Sequence, residues 1–163
     1  MKETEERVCV GGVLVRVVDR GREESALVLL GRRAANREFY PDVWDVLGGH
    51  LEPNETSEQA LVRELREETG VTPTAWTSLG EFRESLPGGD AIVLHLYAVT
   101  SWNGVPRNLS SEEHSEVSWF AVEHACRLTL AHPSYPEILY RATSKASGAV
   151  REFPPVAGAR AVP

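Results

Sequence analysis

Four glutamates crowd one short stretch of this chain: Glu55, then Glu64, Glu67 and Glu68 within Arg63-Glu64-Leu65-Arg66-Glu67-Glu68-Thr69-Gly70. On a helix Glu64, Glu67 and Glu68 stand at i, i+3 and i+4, so their carboxylates share one face. Like charges that close repel, and a chain tolerates them when something cationic sits among them. Hard divalent cations such as Mg²⁺ prefer carboxylate and carbonyl oxygens. The cluster therefore points to a metal site, and with it to chemistry.

The flanking residues build a unit around that helix. Val43, Trp44, Val46 and Leu47 form an apolar, strand-like run closed by Gly48-Gly49. His50 to Asn54 reads as a loop, with Pro53 and Asn54 as turn residues. Thr56 with Gln59 is a capping box. Ala60, Leu61 and Leu65 make an apolar stripe at helical spacing. Gly70 suits the position just past a helix end, and Val71-Thr72-Pro73 stops the helix. A solvated helix face laced with salt bridges is the competing reading, since Arg63 and Glu67 are i, i+4. The double glycine, the cap and the spacing weigh against it.

The whole chain bounds the answer. Its 163 residues fit one domain with room for a sizeable core. A net charge of −7 argues against a nucleic-acid-binding surface. No apolar run approaches membrane-spanning length, and the charged start Met1 to Arg7 lacks a signal-peptide stretch, so a cytoplasmic protein is expected. Cys9 and Cys126 are too few for a disulfide framework and lack metal-ligand spacing; reduced thiols are expected. An acidic protein can still act on a polyphosphate, because bound Mg²⁺ reverses the local sign and bridges carboxylate to phosphate.

Alternating apolar residues predict strands over 8–18 and 26–30, joined through 19–24 as a hairpin. Residues 31–41 read as a polar, basic loop. Strands follow over 79–84 and 91–99, joined by the turn 86–90, with another turn at Trp102-Asn103-Gly104. A short strand is expected over 117–120, a helix beginning within 122–130, and a C-terminal helix over 136–146. Residues 1–146 read as one domain and 147–163, rich in Gly, Pro and Ala, as a tail. Strands mixed with two helices suggest an α+β fold or an α/β/α sandwich.

Gly49, Glu55, Arg63, Glu64, Leu65, Glu67, Glu68, Gly70 and Val71 occupy every fixed position of a known pattern, and the stretch resembles the box of the Nudix (MutT-type) hydrolases. Asn54 stands where that family most often has glycine, and asparagine tolerates positive φ best among the other residues. The resemblance implies an α/β/α sandwich with a mixed central sheet. It also implies a Mg²⁺-dependent diphosphohydrolase, with Mn²⁺ as the alternative ion. Glu64, Glu67, Glu68 and the Gly49 carbonyl are its implied metal ligands, and Arg63 and Glu55 are implied supports.

Outside the box, Arg32, Arg33 and Arg37 are candidates for contacts to substrate phosphates, with a solvated loop as the even alternative. Asp42 and Trp44 are candidates for the nucleoside side of the cleft, though Trp44 reads more readily as core. Many Nudix hydrolases carry an acidic residue in a loop like 111–116, as metal ligand or general base. Glu112, Glu113 and Glu116 are the candidates here, with Glu113 favoured. His95 reads as a satisfied core histidine; His114 and His132 could touch substrate, but neither spacing is diagnostic.

The expected activity is hydrolysis of a nucleoside diphosphate linked to another moiety, foremost a nucleoside triphosphate of the MutT kind. ADP-ribose or another nucleotide derivative is the alternative. The expected partner is a nucleotide-derived small molecule, with the chain a monomer or homodimer. In the best-known oxidised-guanine enzyme a late asparagine reads the base; the stretch Leu130 to Pro136 has none. Three rivals stand beside this reading: a Nudix-fold regulator without catalysis, an isopentenyl diphosphate isomerase using a cysteine and a glutamate, and an acidic interaction domain. Retention of Glu64, Glu67 and Glu68 weighs against the first. The distance of Cys9 and Cys126 from the box in sequence weighs against the second, and a magnesium titration discriminates the third.

Overall fold

The computed structural model describes residues 6–147 apart from 20, 22, 23 and 87. In chain order it builds β1 (Glu6–Asp19), β2 (Glu24–Arg33), β3 (Trp44–Asp45), β4 (Leu47–His50), α1 (Ser57–Thr69), β5 (Thr72–Ser85), β6 (Ala91–Asn103), β7 (His114–Ala121), the single-turn α2 (Val122–Ala125) and α3 (Tyr135–Ser147). The strands form one mixed sheet. β1 pairs antiparallel with β2 and β4 and parallel with β6, while β7 and β3 pair with β2 and β5 closes the far edge.

β1 explains the layering. It is apolar on both faces, as a strand covered on both sides must be. Val13 and Val15 point into a cluster with Ile138, Leu139 and Ala142 of α3, and Val10 and Leu14 into a second with Leu61 and Leu65 of α1. Helices therefore cover both faces of a mixed sheet, the expected α/β/α sandwich. Leu61 and Leu65 are fully buried, each worth about 1.5–3 kcal/mol of burial, and that seats the acidic helix against the sheet.

Four expectations change. Arg32 and Arg33 belong to β2, where backbone pairing with β7 sets Arg32 opposite Glu116. β5 starts at Thr72, earlier than expected, because it is an edge strand that accommodates Pro73 beside an irregular register at Ala75. β6 runs on through Trp102-Asn103, so the turn there narrows to Gly104 with φ 98°. The helix within 122–130 stops after one turn at Ala125. The expected tail meets the described residues only at Ser147, the end of α3. No helix among the described residues is long and apolar enough to cross a membrane.

Candidate active site

The double glycine of β4 and the loop 51–56 that follows bring the acidic helix to the sheet. Thr56 and Gln59 close the capping box, Asn54 takes φ 64°, and Gly70 caps the other end in the left-handed region. Two glycines set the approach. Gly48 has φ 152°, and a Cβ there would lie 1.9 Å from the carbonyl oxygen of Val10, so no side chain fits. A Cβ on Gly49 would lie 2.5 Å from Oε1 of Glu64. The helix carboxylate thus rests directly on the glycine backbone.

Glu68 is only 2% exposed. The Gly48 N–H donates to its Oε2 at 2.9 Å, and Nε2 of His114 lies 3.4 Å from its Oε1. Burial first, then the hydrogen bond and charge of Glu113, push the Glu68 carboxyl up to about 10. Burial likewise raises Glu64, against the pull of Arg63. One ligand atom each from Glu68, Glu113 and His114 lie within 4.8 Å of one another. Burial lowers the pKa of His114, which favours the neutral imidazole. Two carboxyl groups and an imidazole this close fit a divalent metal by donor chemistry, with Nε2 of His114 the ring nitrogen nearest Glu68.

Arg63 organises the loop side. It donates to Glu55 at 2.8 and 2.9 Å, to Glu64 at 2.8 Å, to Glu67 at 3.3 Å and to the His50 carbonyl at 3.0 Å. Its hydrogen bond holds Glu55 down to about 2. Glu67 is the exposed member of the cluster, with its side chain 60% accessible. Glu64, Glu113, Gly48 and Gly49 line a cleft of about 460 Å³, whose walls also include Phe39, Tyr40, His132 and Tyr135.

A family model for the NUDIX domain matches residues 10–142. The chain belongs to the Nudix family. It is 32% identical over 123 residues to the CTP pyrophosphohydrolase of Escherichia coli K12, across 76% of this chain and 87% of that protein. Against the 8-oxo-dGTP diphosphatase of the same organism it is 35% identical over 85 residues, covering 52% of this chain and 64% of that protein. The solution structure of the E. coli ORF135 protein superposes with a TM-score of 0.67 at 28% identity, covering 90% of this chain and 96% of that one. This Nudix hydrolase is thus an enzyme of the diphosphohydrolase class.

In this Nudix hydrolase the arginines before the box separate by task. Arg32 pairs with Asp42 at 3.0 Å, and neither lines the cleft. Arg33 lines it, but its guanidinium donates to the carbonyls of Phe39 and Tyr40 and to Asp45 at 3.2 Å, which braces the loop after β2. Arg37 is exposed and lines the cleft. Of the loop glutamates, Glu113 lines the cleft; Glu112 is exposed outside it, and Glu116 accepts from Ser118 at 2.6 Å. Trp44 packs edge-on against Phe120 and joins the core. His95 bonds Ser57 at 2.7 Å, a satisfied histidine.

Sequence reasoning missed Asp45, set Cys9 apart from the site, and named His114 only as a substrate contact. Asp45 lies in the cleft wall, where its Oδ1 accepts from the Tyr135 hydroxyl at 2.8 Å. Cys9 stands opposite His50 in the sheet and also lines the cleft, so its distance from the box in sequence measured nothing. Burial pushes the Cys9 thiol up to about 11, which keeps it protonated. His114 sits against Glu68. Its adjacency to Glu113 was the available signal, and only β7 register shows which way it faces.

Proposed function

We propose that this Nudix hydrolase is a Mg²⁺-dependent nucleoside triphosphate pyrophosphatase of the MutT kind, releasing a nucleoside monophosphate and pyrophosphate. The observation that carries the reading is the buried Glu68 carboxyl group, faced by Glu113 and His114, which line the cleft. The resemblance to a CTP pyrophosphohydrolase over most of both chains supports the substrate class.

In this reading Glu68, Glu67 and the Gly49 carbonyl, with Glu113, would hold the metal. Mg²⁺ held there would supply positive charge against the developing phosphate charge and make water in the cleft easier to deprotonate. Glu64 is the general base: it lines the cleft, burial raises its proton affinity, and Arg63 fixes its direction. A water attacks phosphorus, its proton passes to Glu64, and the P–O–P bond breaks with pyrophosphate leaving. Arg37 meets the substrate phosphates, since Arg33 is committed to the loop and Arg32 to Asp42. Phe39, Tyr40 and His132, which line the cleft, are the aromatic residues beside the nucleoside in this reading.

The test is a screen of nucleoside triphosphates, oxidised nucleotides, ADP-ribose and dinucleoside polyphosphates with Mg²⁺, reading phosphate and pyrophosphate separately. Pyrophosphate from a triphosphate is the expected product. Turnover confined to ADP-ribose sinks the proposal.

A further inference from the structure

His114 is buried in an unusual way for a histidine. Its side chain is 6% exposed, yet neither ring nitrogen has a hydrogen bond of ordinary length. Nδ1 has no partner, and Nε2 lies 3.4 Å from Glu68 Oε1, beyond the usual N–H···O range. Nδ1 lies on the Gly31 side, so Nε2 is the ring atom that faces the Glu68 and Glu113 carboxyl groups.

The surroundings keep the ring in place. A Cβ on Gly31 would lie 2.7 Å from Nδ1, so β2 presents bare backbone where the ring sits. The Asn108 side chain donates to the His114 carbonyl at 2.8 Å and pins the start of β7. With the ring proton on Nδ1, Nε2 offers its lone pair to the volume that Glu68 and Glu113 share. Oxygen donors alone suit Mg²⁺; an imidazole among them favours later divalent ions of the transition series.

We infer that His114 is a metal ligand, completing with Glu68 and Glu113 a mixed imidazole–carboxylate site that takes a transition-series divalent cation more tightly than Mg²⁺. The inference rests on the reading of Glu68 as a metal-site carboxylate. It adds a nitrogen ligand from outside the box.

Electron paramagnetic resonance of Mn²⁺ on the metal-free full chain tests it without substrate. Free Mn²⁺ gives the affinity, and electron spin echo modulation reports directly bound nitrogen. Wild type should show imidazole ¹⁴N coupling. His114→Gln should lose it and weaken Mn²⁺ binding at least about tenfold, while Mg²⁺ affinity by calorimetry changes less than about threefold. Wild-type chain that binds Mn²⁺ without nitrogen coupling overturns the inference and leaves the Glu68 reading standing, and that spectrum decides even if the variant does not fold. Coupling that persists in folded His114→Gln also overturns it, since His50 or His132 is then the source. Glu68→Gln that binds Mn²⁺ as wild type does, or wild type that binds none, overturns the underlying reading and the inference together.

Discussion

Arg63 grips Glu55 through two parallel hydrogen bonds, Nε to Oε1 at 2.8 Å and Nη2 to Oε2 at 2.9 Å. The same guanidinium reaches Glu64 at 2.8 Å and the His50 carbonyl at 3.0 Å. One side chain therefore ties the loop before α1 to the carboxylate proposed as base. Lysine keeps the charge but cannot reproduce the fork. Arg63→Lys should fold, yet lower kcat about 10–100-fold with a smaller change in KM, the scale for losing a residue that orients a ligand. Circular dichroism and steady-state kinetics check both halves, and an unchanged kcat would remove Arg63 from the machinery.

The clamp also predicts an acid limb. Its hydrogen bond to Arg63 depresses Glu55 to about 2 from an ordinary 4.5. A depressed carboxyl contributes stability that is fully present above the unfolded value and lost as pH falls through the folded one. The stability gap between wild type and Glu55→Gln should therefore be constant above about pH 5 and close between about pH 4.5 and 2. Urea midpoints across that range measure it; a gap that widens on acidification contradicts the clamp.

Adjacent glycines should fail differently. At Gly48 an added methyl meets backbone, the Val10 carbonyl oxygen at 1.9 Å. Gly48→Ala should cost more than about 3 kcal/mol or prevent folding. At Gly49 the obstacle is the far end of a side chain, Glu64 Oε1 at 2.5 Å. Gly49→Ala should fold within about 1.5 kcal/mol of wild type but lower turnover, because the displaced carboxylate is the proposed base. Denaturant unfolding beside kinetics on both variants separates the two effects.

Glu68→Gln isolates the buried carboxylate. Burial and Glu113 push this carboxyl up to about 10, so it is protonated in the metal-free chain, and the neutral glutamine should leave the metal-free fold about as stable as wild type. Divalent-cation binding should weaken, and turnover should fall at least about a hundredfold. Near wild-type activity on the best substrate would end the assignment of Glu68.

The acidic helix is legible in the sequence because its signals are local: Thr56 with Gln59, Gly70 at the end, and the Leu61–Leu65 stripe all act within a few residues. Strand limits are less so. Arg32 and Arg33 look like loop residues until Glu116 stands opposite Arg32, and Pro73 looks like a stop until its strand proves to be an edge. The site divides the same way. Glu64 and Glu68 follow from helical spacing, whereas His114, Asp45 and Cys9 reach the cleft only through the pairing of β7, β3 and β1. Arg32 and Asp42, alike in composition to true cleft residues, neutralise each other beside it.

The base-reading end of the cleft carries the last prediction. Residues 130–136, Leu-Ala-His-Pro-Ser-Tyr-Pro, contain no asparagine or glutamine. Tyr135 already donates its hydroxyl to Asp45, and the Ser134 N–H donates to Nδ1 of His132. The amide pattern that could pair with an oxidised purine is missing, and one such hydrogen-bond pair is worth about 1–3 kcal/mol of discrimination. Preference for 8-oxo-dGTP over dGTP in kcat/KM should therefore stay below about tenfold. Kinetics on both nucleotides with Mg²⁺ decide it. A preference near about a thousandfold, roughly 4 kcal/mol, would mean that another group reads the base, with the free Nε2 side of His132 and the carboxylate of Asp45 the first to be substituted.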